Sequence, residues 1–281
     1  MNKKAPLMGK TFLLGVGAHK AGTTWLYEYL FSHPQVCMSP VKEMHFFGYR
    51  GCGGWEWPIT HFRKKLKRRM AEDARTGRQR PYGPLRERIR MEGDVEKYRG
   101  FFRRRIQDAQ VFGEITPAYC HLPAREFEFI NVYFKNTKVI FLMRAPADRH
   151  WSHMRFSAGA ETVEELEAKI DETLIHPKYV ERNNYAGTLH NITQVFRPDQ
   201  LHVEFYERLF TPEALTRICA FLGIDMMPAE FDKPLNVSVK MPLSPNLRGK
   251  IADALKVHYF AAEDYFDGDI PDTWRADMDA F

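Results

Sequence analysis

The sequence is poor in cysteine and lacks a long apolar run, and each of these features excludes a class of protein. No stretch of about 18 apolar residues occurs in the 281 residues, so we expect no membrane span. The four cysteines are scattered without C-x-x-C spacing, which argues against a zinc site or a disulfide framework and favours a reducing cytoplasm. No histidine lies in an H-E-x-x-H motif, so we expect no metal centre.

The hydrophobic content is sufficient for one large α/β domain. Hydrophobic residues make up 44% of the chain and aromatic residues 14%, which supports a full core over residues 1–281. Apolar runs separated by helical patterns predict a mostly parallel sheet with helices on both faces, which is a three-layer α/β fold. The predicted strands cover residues 12–16, 35–39, 111–116, 138–143 and 201–206.

Helix signals occupy the intervals between these strands. Thr162 begins a capping box, and Thr211 and Ser244 are each followed by a proline, which is typical of a helix start. We also predict helices over residues 123–134 and 177–196.

Positive charge is concentrated in one segment. Residues 61–105 contain 17 Lys or Arg and 6 Asp or Glu, a local charge of +11, although the net charge of the chain is only +5. We interpret the segment as a basic helical insertion or lid. Its charge has three open explanations, which are a solvated face, a binding surface for a polyanion, or a surface that attracts an anionic acceptor. We expect no nucleic-acid partner, because the basic residues are not regularly interleaved with aromatic ones.

The stretch after the first strand predicts a phosphate-binding turn. Glycines let the backbone approach a ligand, and the first N–H groups of a helix favour an anion. The residues concerned are Gly15, Gly17, Lys20, Gly22, Thr23 and Thr24. The nucleoside-triphosphate motif G-x-x-x-x-G-K-[ST] is not matched, because Lys20 precedes Gly22 instead of following it. The alternative is a turn whose glycines serve packing alone.

The order Lys20-Ala21-Gly22-Thr23-Thr24 resembles the 5′-phosphosulfate loop of sulfotransferases that use 3′-phosphoadenosine 5′-phosphosulfate (PAPS). The resemblance implies that this loop, together with His19, holds the 5′-phosphosulfate, and that the protein has the P-loop-like sulfotransferase fold.

A second motif supports the same family. The run from Arg144 through Pro146 and Arg149 to Ser152 has the form R-x-P-x-x-R-x-x-S, which is similar to the element that binds the 3′-phosphate of PAPS. The resemblance therefore assigns Arg144 and Ser152 to that phosphate and leaves Arg149 as a structural residue. A looser match near the last helix adds Lys240 as a further contact to the nucleotide.

A third motif supplies candidate catalytic residues. Lys42-Glu43-Met44-His45-Phe46-Phe47 resembles the K-E-x-H-F-F element of heparan sulfate-type and bacterial sulfotransferases. The resemblance implies that Glu43 is the general base, while His45 orients it, contacts the acceptor or is itself the base. In an extended segment both side chains would lie on one face. Aromatic neighbours such as Phe46, with Trp55 or Trp57, would raise the pKa of the carboxylate. The alternative is a structural His–Glu pair.

The run Gly113-Glu114-Ile115-Thr116-Pro117-Ala118-Tyr119 departs from the heparan-type pattern. Those enzymes carry a lysine where this chain has Ile115, so Lys20 is expected to be the main catalytic cation. Glu114 and Thr116 either shape the acceptor pocket or are structural.

We therefore expect a PAPS-dependent sulfotransferase that transfers a sulfuryl group to a hydroxyl or amine and needs no metal. The expected acceptor is a small molecule or a carbohydrate, with anionic ones included, and no oligomeric state is predicted. The alternatives are a P-loop kinase acting on a small molecule and a polyanion-binding module.

Overall fold

The fold is organised around a five-stranded sheet whose strands are all parallel. The computed structural model describes residues 7–48, 56–157, 162–231 and 241–281. Within these ranges the strand order is β2-β3-β1-β4-β5, so β1 lies at the centre. The strands are β1 (Thr11–Gly17), β2 (Val36–Met38), β3 (Val111–Ile115), β4 (Thr137–Met143) and β5 (Leu201–Phe205). All five coincide with strands that the sequence predicts.

Helices flank the sheet and fill the connections between its strands. No helix in the described part of the chain is both long and apolar enough to cross a membrane. The helices are α1 (Thr23–Ser32), α2 (Glu56–Thr76), α3 (Gly83–Ile89), α4 (Val95–Arg103), α5 (Ala124–Tyr133), α6 (Pro146–Ser157), α7 (Val163–Ala168), α8 (Ile170–Ile175), α9 (Pro177–Asn183), α10 (Tyr185–Thr193), α11 (Tyr206–Leu209), α12 (Pro212–Leu222), α13 (Pro245–Ala254), α14 (Lys256–Tyr265) and α15 (Asp272–Met278).

Helix starts follow the predicted capping chemistry. The hydroxyls of Thr162, Thr211 and Ser244 each accept a hydrogen bond from a backbone N–H in the first turn of α7, α12 and α13. The prediction of one helix over residues 177–196 is wrong. Asn184 interrupts it with ψ at 66°, and its side-chain oxygen accepts a hydrogen bond from Gly187 N at 2.9 Å, which caps a second helix.

The basic segment is helical, and its last helix is part of the core. Tyr98, Phe101 and Phe102 of α4 are buried, and the Tyr98 ring packs edge-on against Phe12 of β1 with centroids 6.3 Å apart. Helix α2, by contrast, buries only three of its 21 residues. The basic segment is therefore anchored to the core through α4, whereas α2 is largely exposed.

Close approach of the central strands requires glycine. Gly113 of β3 pairs with Leu13 of β1, and a Cβ atom on Gly113 would lie 2.0 Å from the Leu13 carbonyl oxygen. Any side chain at this position would push β1 and β3 apart. The phosphate-binding turn follows β1, and Glu114 lies near the end of β3.

We predict that Gly113→Ala lowers the free energy of unfolding by about 3 kcal/mol or more, because the added methyl group meets rigid backbone. Urea denaturation followed by circular dichroism measures the change. Gly249→Ala is the matched control, since a Cβ at this position in α13 meets no atom within 4 Å. It should leave stability unchanged or raise it by up to about 1 kcal/mol. Equal midpoints for both variants would contradict the packing argument.

Candidate active site

The turn between β1 and α1 has the features of an anion-binding loop. Gly22 caps α1 in the left-handed region with φ at 86°, and a Cβ there would lie 2.6 Å from Cδ2 of Leu209. No side chain of the described residues caps the helix, and its first turn contains no acidic residue. The first N–H groups of α1 are thus available to a ligand, and the helix dipole favours a negative one.

Two predicted cofactor-binding cations converge at this turn. Nη1 of Arg144, just after β4, donates a hydrogen bond to the Lys20 carbonyl oxygen at 3.3 Å. The Arg144 guanidinium also lies 4.5 Å from the centroid of the Tyr206 ring. Burial lowers the pKa of Lys20, and the charges of Arg155 and Arg144 lower it further. A bound anion would relieve this mutual repulsion.

Ser152 and Arg149 lie on α6, the helix that follows Arg144. Both are buried, with Ser152 at 5% exposure and Arg149 at 0%. The Arg149 guanidinium donates a hydrogen bond to Oδ1 of Asn183, which agrees with the structural role expected of it. Lys240 lies outside the described residues.

The Glu43–His45 pair forms, but the segment that carries it is not extended. Nε2 of His45 lies 3.6 Å from Oε2 of Glu43. The prediction of an extended segment is wrong, because both residues are left-handed, with φ at 56° for Glu43 and 47° for His45. Such a conformation costs roughly 1–2 kcal/mol per residue and persists only where surrounding contacts enforce it.

Arg88 provides some of these enforcing contacts. This fully buried arginine of α3 donates from Nε to the Met44 carbonyl oxygen at 2.6 Å and from Nη2 to the His45 carbonyl oxygen at 2.7 Å. The basic segment therefore supplies a structural residue to the site, which the sequence did not indicate.

A buried hydrogen-bond network around Glu114 holds the same segment from the other side. Oε2 of Glu114 accepts from Met44 N at 3.2 Å and from the Thr116 hydroxyl at 2.6 Å. Oε1 accepts from the hydroxyls of Tyr98 and Tyr119 at 2.8 and 3.0 Å. The Tyr119 hydroxyl in turn accepts from Phe46 N at 2.7 Å. Of the two roles considered for Glu114 and Thr116, the structure supports the structural one.

The expected rise in the pKa of Glu43 is not found. Burial acts to raise this pKa, but the hydrogen bond and charge of His45, followed by the charges of Lys42 and Lys65, outweigh it. The pKa of Glu43 therefore lies below its usual range, and the carboxylate is ionised at neutral pH. Its side chain is 39% exposed, which leaves it accessible to an acceptor. Trp55, considered as an aromatic neighbour, lies outside the described residues.

Lys42 connects the two loops, although no role was predicted for it from the sequence. Its Nζ donates to Oγ1 of Thr24 at 2.6 Å, so a cation bridges the phosphate-binding turn and the Glu43 segment. The sequence signal for such a role is the position of Lys42 directly before Glu43 in the K-E-x-H-F-F element. Ile115, at the position where the heparan-type pattern carries a lysine, is buried against β1 near Gly15.

A cavity of about 420 Å³ opens next to the Glu43 segment. Its walls come from the Glu43 segment and from one face of α2. The lining residues are Lys42, Glu43 and His45 from the first, and His61, Lys64, Lys65 and Arg68 from the second. The sequence pointed to a basic segment but not to these four residues of α2.

Three potential metal ligands also lie close to the turn. The ligand atoms of His19, Cys120 and His121 lie within 4.8 Å of one another. Burial lowers the pKa of His19 and His121, and the positive charges of Arg182 and Arg149 lower it further. Those same charges oppose a bound cation. The absence of a metal from the reaction stays a prediction.

Comparison with known proteins identifies a family for this arrangement. The model of the sulfotransferase domain matches residues 10–246. A membrane-associated sulfotransferase, kil1 of Dictyostelium discoideum, is 26% identical over an alignment 220 residues long, which covers 68% of this chain and 38% of that protein. The chain thus spans little more than a third of the length of this relative.

Two solved structures share the fold. The sulfotransferase of Alicyclobacillus acidocaldarius aligns with a TM-score of 0.61 at 22% identity, covering 95% of this chain and 98% of that one. The sulfotransferase domain of the Synechococcus PCC 7002 olefin synthase aligns with a TM-score of 0.55 at 16% identity, covering 96% and 98%. Since the family model extends over most of the sequence, the chain belongs to the sulfotransferase domain family.

Proposed function

We propose that the protein transfers a sulfuryl group from PAPS to a hydroxyl or amine of a small-molecule or carbohydrate acceptor. One observation carries the proposal, which is the 2.6 Å hydrogen bond from Lys42 to Thr24. It holds an ionised carboxylate, Glu43, next to an uncapped helix start that suits an anion. Sulfuryl transfer needs both features in one place, a cradle for the donor and a base for the acceptor.

The residues at the turn suit the donor. The first N–H groups of α1 and the hydroxyls of Thr23 and Thr24 would hold the 5′-phosphosulfate, with His19 to Gly22 forming the loop around it. Arg144 and Ser152 would hold the 3′-phosphate, which a guanidinium can grip with two parallel hydrogen bonds. PAPS supplies an activated sulfuryl group to this site.

The chain's own residues would carry the proton and the charge. Glu43 takes the proton from the acceptor hydroxyl as the acceptor oxygen forms its bond to sulfur. Lys20 and the N–H groups of α1 stabilise the negative charge that develops on the phosphate oxygen when its bond to sulfur breaks. Lys42, placed between Glu43 and Thr24, adds positive charge where the sulfuryl group passes. The products are the sulfated acceptor and 3′-phosphoadenosine 5′-phosphate (PAP).

We also propose a cytoplasmic location. Cys37, Cys120 and Cys219 are all free thiols, and free thiols are typical of proteins in a reducing compartment. Cys52 lies outside the described residues.

Replacing Lys20 tests the charge assignment. We predict that Lys20→Ala lowers kcat by about 10²–10³-fold, the usual effect of losing one electrostatic contact to a transition state. Transfer of ³⁵S from labelled PAPS across an acceptor panel measures the loss. Lys135→Ala, at an exposed position just before β4, is the matched control and should keep full activity. A Lys20 variant as active as the control would refute the assignment.

Replacing Glu43 tests the base assignment and predicts a pH profile. Glu43→Gln should abolish transfer while PAP still binds, because the carboxylate acts on the acceptor and not on the nucleotide. For the wild type, kcat/KM falls at low pH only when Glu43 becomes protonated. Because the pKa of Glu43 is lowered, this acid limb should lie below about pH 4.5.

A histidine base would give a different profile, with the acid limb near pH 6.5, where histidines ordinarily titrate. An acid limb near that pH, combined with an active Glu43→Gln variant and an inactive His45→Asn variant, would transfer the role of base from Glu43 to His45.

A further inference from the structure

The cavity beside Glu43 carries an excess of positive charge. Lys42, Lys64, Lys65 and Arg68 line it, and Glu43 is its one carboxylate, which leaves a charge of +3 when the histidines are neutral. Burial lowers the pKa of His61, so this lining histidine contributes no charge at neutral pH. A half-open cavity of this charge with protein walls focuses a positive field on its contents.

These cations differ from others in the basic segment, which are neutralised by nearby carboxylates. Arg80 pairs with Glu72 at 2.8 Å, and Arg99 pairs with Glu96 at 2.9 Å. Among the residues that the structure describes, no carboxylate lies within ion-pair distance of Lys64, Lys65 or Arg68. In that part of the chain, none of the three is therefore neutralised by an ion pair.

The cations of α2 are also directed to one place. Positions 61, 64, 65 and 68 are three, four and seven residues apart, which sets them on one face of the helix. Lys65 is half-buried there, and burial lowers its pKa, with the charge of Arg69 adding to the effect. Four cations around the single carboxylate of Glu43 repel one another, and a bound anion would relieve that repulsion.

An aromatic surface adjoins the cavity. The Trp57 ring stacks on His61 with centroids 5.2 Å apart and meets the edge of His45 at 5.3 Å. Trp57 is 50% exposed, so part of its surface is open to a ligand. Such a surface suits a ring-shaped molecule.

We propose that this cavity is the acceptor subsite and that it selects ring-bearing acids, in which a carboxylate or sulfate binds Lys64, Lys65 and Arg68 while a hydroxyl faces Glu43. The assignment of the hydroxyl to Glu43 rests on the proposed function. The selection for an acid rests on the cavity alone and can be measured without the donor.

The test compares two probes that differ only at C6 of the sugar, phenyl β-D-glucuronide with a carboxylate and phenyl β-D-glucoside with a hydroxymethyl group. Isothermal titration of the full chain, with and without PAP, should show the glucuronide binding about ten-fold or more tightly than the glucoside. The preference should shrink as salt is added, because ions screen partly exposed charges. The double variant Lys64→Met, Lys65→Met should lose most of the preference.

Lys67→Met provides the matched control, since Lys67 is an exposed lysine of α2 that does not line the cavity. It should keep the full preference. Equal binding of the two probes, no binding of the glucuronide at millimolar concentration, or an equal loss in the Lys67 variant would each overturn the proposal.

The same titrations separate this proposal from the proposed function. A preference for the glucuronide without any binding of PAP would refute the donor assignment and leave the anion subsite standing. Binding of PAP without a preference for the glucuronide would refute the anion subsite and leave the donor assignment standing.

Discussion

The buried carboxylate of Glu114 is the point on which the site depends. Burial raises its pKa, and hydrogen bonds from Thr116, Tyr98 and Tyr119 oppose that rise by stabilising the charged form. Through Met44 N it also fixes the segment that carries Glu43 in a backbone conformation that such a residue otherwise avoids. Because Glu114 belongs to β3, next to the central strand, the sheet itself determines where Glu43 lies.

The turn between β1 and α1 lies near Glu43 for the same topological reason. In a parallel sheet the carboxyl ends of neighbouring strands share one edge, and ligands bind there. The turn follows β1, Arg144 follows β4 on one side, and the Glu43 segment is held from β3 on the other. Lys42 then closes the gap with its hydrogen bond to Thr24. The cations of α2 complete the site from outside the sheet.

Much of this could be predicted from the sequence, and the failures have physical causes. Buried parallel strands and helix caps leave strong local signals, so all five strands and the starts at Thr162, Thr211 and Ser244 were predicted correctly. The pKa of Glu43 was not, because burial raises it while the hydrogen bond and charge of His45, followed by the charges of Lys42 and Lys65, lower it, and these distances exist only in the folded chain. The face of α2 that turns toward Glu43 was likewise set by packing and not by local pattern.

The central claim is that Lys20 and Arg144 hold a nucleotide with phosphates at both the 5′ and 3′ positions. Isothermal titration with PAP and with AMP, which lacks the 3′-phosphate, tests it most directly. We expect PAP to bind without magnesium and far more tightly than AMP, and Arg144→Ala to remove most of this difference. Equal affinity for PAP and AMP, or binding of magnesium–ATP in place of PAP, would contradict it.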